Sequence, residues 1–433
     1  MPAGPETTGL TAFSPDRVAG AAAWRVVYLV IQGGSSLGLF VVLAHALPAS
    51  AFAATALAQG ILVVAQALGD FGLSQAVVSA LPAWVAREPP TARPRLVAGA
   101  ALAFCCAAAC ALALALLATL MVPPAARPAV ASISPAAAVT VIVAGADGLL
   151  RASGEFARPV AIVACSRLAP FVAVPVAAIS GTATATCTAI AIATVCGSVP
   201  AIAFIARRAR TARAADACAV GRAALPLGIS QLFLVGGSRV NTLLVGGLAS
   251  VRAAAVFEAS WRLYQLGQYA IGSVATAIAP FAGDALGGDR RAEFLTLLRR
   301  TMSIMVIGGL LCSLAVALAG GVVSDVLFGS FGPAAERAVM PLAVVFPFTL
   351  AGLAATYVLG ASDCDRRHLI WAYGCGGLVN IALVAALVPS NGARGATMAC
   401  ACGLVVTHAW ILQRYFGIVR RVRAVPVPAE QPA

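Results

Sequence analysis

Apolar positions along this chain are grouped on the scale of a lipid bilayer. Runs of about 20 predominantly apolar residues recur throughout, the length a helix needs to cross a ~30 Å hydrocarbon layer. They predict twelve spans, near 24–45, 52–80, 97–122, 131–150, 159–180, 185–206, 223–248, 253–282, 301–323, 339–361, 369–388 and 393–413. Pro135 and Asp147 dilute the fourth more than any other. A transmembrane barrel would instead show segments of about 10 residues with alternating character, and none is present. Helices are the other way to satisfy backbone groups in lipid. The expected fold class is therefore an all-α integral membrane protein with about 12 transmembrane helices.

Charge sets the orientation. All 29 basic residues are arginine. On alternate sides of the predicted spans they divide into 22 and 4, the four being Arg127, Arg252, Arg337 and Arg394, with Arg167, Arg239 and Arg262 inside spans. By the positive-inside rule the rich side is cytoplasmic, which places both termini in the cytoplasm and requires an even number of spans. The longest polar interruption, residues 207–222, lies at the midpoint. It separates an N-lobe (24–206, spans one to six) from a C-lobe (223–413, spans seven to twelve), flanked by cytoplasmic tails 1–23 and 414–433. Such a doubled layout recurs among transporters, around a central cleft. Small-residue sites at Ala44-His45-Ala46 and Ala49-Ser50-Ala51 resemble signal-peptide cleavage sites, but the apolar run before them is longer than a usual signal core.

Composition excludes several function classes. The chain of 433 residues is 61% hydrophobic and 10% charged, against roughly 25% charged in a soluble protein. Its net charge of +13 does not imply nucleic acid, because the arginines are scattered between spans and form no basic face. Twelve cysteines include no metal-spaced pair. Cys105, Cys106, Cys110, Cys165, Cys187, Cys196 and Cys312 lie in apolar runs and read as packing residues. No metal and no cofactor is expected. An enzyme is not expected either, since His45, His368 and His408 are scattered and the longest outer loop covers only about 324–338.

The candidate chemistry lies in polar residues inside the spans. An Arg or Asp at a span centre costs about 2.5–3.5 kcal/mol on insertion scales, so such residues face a bundle interior or a watery cavity. In the eighth span Glu258, Arg262, Gln265 and Tyr269 share one helical face, with Trp261 and Gln268 beside it. Gln59, Gln66 and Asp70 form a thinner stripe in the second span. Ser230, Gln231, Arg239 and Asn241 lie in the seventh, and Arg167 in the fifth. Structural readings stand beside the functional ones. Glu258 with Arg262, and Asp147 with Arg151, are spaced to neutralise each other within a helix. Asp70, just before Gly72, suits a helix end, and Arg25 suits an interfacial anchor.

Two stretches carry a family resemblance. Val41-Val42-Leu43-Ala44-His45-Ala46-Leu47-Pro48, Phe52-Ala53 and Leu68-Gly69-Asp70-Phe71-Gly72-Leu73-Ser74-Gln75-Ala76 resemble the opening helices of bacterial polysaccharide flippases. These are O-antigen and exopolysaccharide translocases of the multidrug/oligosaccharidyl-lipid/polysaccharide exporter superfamily. Ser238-Arg239-Val240-Asn241-Thr242-Leu243-Leu244 and Val256-Phe257-Glu258-Ala259-Ser260-Trp261-Arg262-Leu263 are similar to the family's seventh and eighth helices, and Ala279-Pro280 and Leu327-Phe328-Gly329 to later features. His45, Ala53 and Asn241 depart from the residues common there, and Asn241 replaces an acidic side chain.

The resemblance implies a multi-pass protein of the bacterial inner membrane. It would flip a polyprenyl-diphosphate-linked oligosaccharide or related glycolipid to the outer leaflet by alternating access. Its partners would be that lipid-linked oligosaccharide, the bilayer and glycan-assembly proteins, and it would work as a monomer. On this reading Arg239, Arg262 and Arg167 meet the diphosphate, because guanidinium matches phosphate oxygens. Gln66, Gln265, Trp261 and Tyr269 suit sugar contacts, with Asn241 and Glu258 in the same cleft. Asp70, Arg25 and Glu258 are the coupling or gating candidates. The alternative is a cation-coupled multidrug exporter of the same superfamily; a membrane-embedded glycan polymerase or acyltransferase ranks below both.

Overall fold

The computed structural model describes residues 15–424, apart from 75, 79–80, 82–88, 90–92, 154, 156, 237–239, 288–290 and 362. The first half of the chain forms α1 (Pro15–Ala46), α2 (Ala49–Asp70), α3 (Arg93–Met121), α4 (Arg127–Ala152), α5 (Ala157–Leu168), α6 (Ala173–Ser180), α7 (Ala183–Gly197) and α8 (Val199–Ala209). The second half forms α9 (Ala214–Gly236), α10 (Val240–Leu248), α11 (Val251–Gly287), α12 (Arg291–Phe328), α13 (Gly332–Val344), α14 (Phe346–Ala361) and α15 (Asp363–Ala424). There is no strand among the described residues.

Each of the twelve apolar stretches is helical over its described residues, although several contain a break. Among the described residues seven helical runs are long and apolar enough to cross a membrane, or eight if the bent pair α7–α8 is one span. Two of these runs, Leu298–Val344 and Arg367–Arg421, are 47 and 55 residues long, about twice what one crossing needs. Each holds a glycine in the left-handed region: Gly329 at φ 51° and Gly392 at φ 52°. A glycine takes that geometry without a Cβ penalty, so the chain can turn back there. The protein is a multi-pass, all-α membrane protein.

The diluted fourth stretch is one continuous helix, α4, despite Pro135. Its buried Asp147 is neutralised locally, because Arg151 one turn later pairs with it and the Tyr28 hydroxyl donates to it at 3.3 Å. Asp70 is the last residue of α2, and Phe71 after it adopts φ 43°. Helical backbone resumes at Leu73, and Asp70 accepts hydrogen bonds from the Ser74 amide at 3.2 Å and the Ser74 hydroxyl at 2.7 Å. The carboxylate thus caps the next helical segment, an arrangement worth about 1 kcal/mol.

Within the first half α4 packs against α2, α3 and α7; within the second, α14 packs against α11, α12 and α15. Four elements of the second half join the halves: α11 lies on α1 and α2, α12 on α1, α10 on α2, and α9 on α2 and α3 as well as α15. The junction is sealed at the arginine-poor end by aromatic rings. Phe40 of α1 meets Phe52 of α2 edge-on with centroids 4.9 Å apart, and Phe328 of α12 at 5.8 Å. Phe52 meets Phe331 at 5.0 Å, and all four are buried.

Candidate substrate cavity between the two halves

Midway along α1, α2 and α11, beneath that seal, the halves part around a cavity of about 160 Å³. It is lined by Gln32, Gly33, Ser36 and Leu37 of α1, Val63, Gln66 and Ala67 of α2, Arg167 of α5, and Arg262, Gln265, Leu266 and Tyr269 of α11. Its described lining holds two cations and no carboxylate.

The α11 contribution follows from helical period. Arg262, Gln265 and Tyr269 recur on one face, and the Gln265 amide donates to the Tyr269 hydroxyl at 3.4 Å. The ring of Tyr269 lies so close to α1 that a Cβ at Gly33 would come within 2.7 Å of its Cδ2. Glu258, one turn before Arg262, lies on the seal side of the cavity and outside its lining, 1% exposed, and accepts a hydrogen bond from the Thr242 hydroxyl of α10. Its other carboxylate oxygen is 4.0 Å from Arg262 Nε. The within-helix pair therefore exists, but it occupies only one edge of the guanidinium.

The opposite edge crosses between the halves. Arg262 Nη1 donates to the Ser36 carbonyl at 2.9 Å and to the Ser36 hydroxyl at 2.6 Å. Its Nη2 donates to Gln59 Oε1 at 2.9 Å. The guanidinium carbon also lies 4.2 Å from the centroid of the Phe40 ring, a cation–π contact. Glu258, Ser36 and Gln59 together offset the cost of holding this cation 8% exposed.

Arg167 reaches the cavity through a broken helix. Pro170 has no N–H to continue α5, so the chain passes into a 3-10 turn at Ala169–Val172 before α6. Beside it α7 and α8 are bent by 55°. The two breaks meet through buried Ser198, whose hydroxyl donates to Ser166 at 2.9 Å. A Cβ at Gly197 would come within 2.5 Å of the Cys165 carbonyl, so only glycine allows this approach. Irregular backbone at membrane depth is tolerated where it is buried or lines a cavity, and here it presents Arg167. That half-buried side chain has no hydrogen bond or ion pair to another described residue.

The remaining sequence candidates sit elsewhere. Trp261 is buried with Phe257 at 6.2 Å and Tyr264 at 5.2 Å, packed within the second half instead of on the cavity wall. Asn241 is fully buried and exchanges two hydrogen bonds with Asn380 of α15, at 3.0 and 2.8 Å. Asp70 serves the helix break described above. Arg239 and the side chain of Arg25 lie outside the described residues. Gln32 and Ser36 were not among the sequence candidates. Their signal was available, as two polar residues four apart in the first apolar run. No group of His, Cys, Asp and Glu that could hold a metal occurs among the described residues.

Fold and cavity together define the class: a multi-pass helical membrane protein whose two halves enclose a polar, cationic chamber. More particularly, the fold is one shared with transporters of the MOP superfamily. The chain is similar to an inward-facing multidrug resistance MATE family transporter, with a TM-score of 0.69 at 17% identity over 92% of this chain and 99% of that one. It is similar to the lipid II flippase MurJ in an inward closed conformation, with a TM-score of 0.70 at 12% identity over 93% of this chain and 90% of that one. An outward-facing MATE family transporter overlaps at a TM-score of 0.60, with 16% identity over 93% of this chain and 96% of that one. No protein-family profile matches the sequence, and no curated protein matches it.

Proposed function

We propose that this chain is a lipid-linked glycan flippase. It moves a polyprenyl-diphosphate-linked oligosaccharide or related glycolipid from the cytoplasmic to the outer leaflet of a bacterial inner membrane, for cell-surface polysaccharide synthesis. Both termini lie in the cytoplasm on this reading. The observation that carries it is the pairing of Arg167 and Arg262, from opposite halves of the chain, on one cavity with no carboxylate in its described lining. A diphosphate requires such a lining, because guanidinium forks hold phosphate oxygens bidentately. Gln66, Gln265 and Tyr269 add hydrogen bonding and a ring face suited to a sugar. An organic cation would be repelled by the same lining.

The volume supports a two-state cycle. Sites for drug-sized ligands occupy about 300–1,000 Å³, so a chamber of about 160 Å³ takes an anionic group but not a glycan. The halves must part further to admit the substrate, and rocking of one half against the other is the established way for such folds to do so. The second reading, a cation-coupled multidrug exporter, draws support from the overlap with MATE transporters.

Deletion and complementation separate the two. The deletion strain should lose surface glycan and keep its drug tolerance. Wild type should restore export, and Arg167→Ala should not, although it reaches the membrane in normal amount. Full export by that variant, or a deletion phenotype confined to drug sensitivity, would sink the proposal.

A further inference from the structure

Arg262 touches both the cavity and the seal above it, and that double placement has a mechanical consequence. On one side the guanidinium borders the chamber. On the other it lies 4.2 Å from the ring of Phe40, the ring that meets both Phe52 from the same half and Phe328 from the other. Its own helix belongs to the second half, yet its hydrogen bonds run to Ser36 on α1 and Gln59 on α2 in the first. Separating the halves at the arginine-poor end therefore means breaking these bonds and drawing the guanidinium off Phe40.

We propose that Ser36 and Gln59 are positioning residues that hold Arg262 as a latch between the halves, and that an anion entering the cavity releases it. Ser36 and Gln59 are neutral acceptors, and an ionised acceptor makes hydrogen bonds roughly twice as strong. An anion in the cavity thus competes on favourable terms for the same N–H groups. As the guanidinium turns to the anion it gives up the first half, and the aromatic seal loses its support. The seal stays shut while the chamber is empty and is freed when it is filled, which keeps an empty transporter from opening outward. The inference rests on the anion-binding reading of the cavity.

Hydrogen exchange on the full chain in lipid nanodiscs tests it, because exchange reports local opening. Gln59→Leu removes one acceptor and should speed exchange about 10-fold in segments 47–55 and 327–335, which carry the seal. That is the lower end of the fold-change for one charge-assisted hydrogen bond. Segment 140–149, within the first half, should be unchanged. Gln59→Glu offers an ionised acceptor and should leave the seal at least as protected as in wild type. Inorganic diphosphate should accelerate the seal segments in wild type, and much less in Gln59→Leu, where the latch is already open.

Wild-type exchange at the seal in Gln59→Leu, or faster exchange in all three segments, would overturn the latch. So would loosening by Gln59→Glu. Binding is read separately, as a rise in melting temperature with diphosphate. No such rise would overturn the anion-binding reading beneath the proposal, whereas a rise without acceleration at the seal would overturn the latch itself.

Discussion

Replacing Arg167 by alanine separates binding from folding better than any other change at the cavity. The side chain is half-buried, borders the chamber, and makes no hydrogen bond or ion pair with another described residue. Truncation removes no contact the fold depends on, so stability should stay within about 0.5 kcal/mol of wild type. The ligand loses a charge-assisted hydrogen bond of about 1.5–3 kcal/mol, which corresponds to roughly 10- to 150-fold in affinity. Arg167→Lys keeps the charge without the planar fork and should fall between. Arg262→Ala should behave differently, because it leaves Glu258 buried without its cation. Breaking a buried pair in that way costs about 3–5 kcal/mol, so that variant should lose both affinity and melting temperature. The assay is calorimetric titration of inorganic diphosphate into nanodisc-held protein, beside a melting curve for each variant. Affinity within twofold of wild type in Arg167→Ala would refute the assignment, as would a melting temperature as low as that of Arg262→Ala.

Other changes test other parts of the account. Truncating Asn241 or Asn380 alone to alanine strands a fully buried amide, at about 1–3 kcal/mol; thermal melts should show the double leucine replacement recovering much of that loss. Gly33→Val drives a side chain into the ring of Tyr269, where even a Cβ would reach 2.7 Å. Overpacking of this kind costs about 1–3 kcal/mol, and diphosphate affinity should fall at least 10-fold as the cavity wall shifts. Asp70→Ala removes the cap on Ser74, which costs about 1 kcal/mol; a capping role predicts a slightly lower melting temperature with glycan export retained, and abolished export would instead mark Asp70 as a coupling residue.

Apolar periodicity carried most of the fold, because a bilayer imposes a length on each helix. The breaks were harder to see. Pro170 announces its own, and Gly197 followed by Pro200 marks the bend between α7 and α8, but the approach of the Cys165 carbonyl to Gly197 is a tertiary contact with no local signature. The stripe on α11 was legible because polar residues are costly in lipid. What periodicity could not decide was which neighbour each polar residue faces. Arg262, Gln265 and Tyr269 face the chamber, whereas Trp261, one residue from Arg262, faces Phe257 and Tyr264. Asn241 likewise looked like a cleft residue until Asn380, 139 positions away, proved to be its partner. The helix-internal pair of Glu258 and Arg262 could be read from spacing. The reach of Arg262 to Ser36 and Gln59 could not, since those contacts span 226 and 203 positions.

The most direct test is reconstitution of the purified chain in liposomes carrying a fluorescent polyprenyl-diphosphate-linked sugar, with leaflet exchange followed by quenching from outside. Wild type should move the lipid across the bilayer well above the protein-free rate. Arg167→Ala and Arg262→Ala should fall toward that background, and the wild-type liposomes should not take up or release an organic cation such as ethidium. Lipid movement at the protein-free rate, together with coupled transport of the cation, would contradict the account.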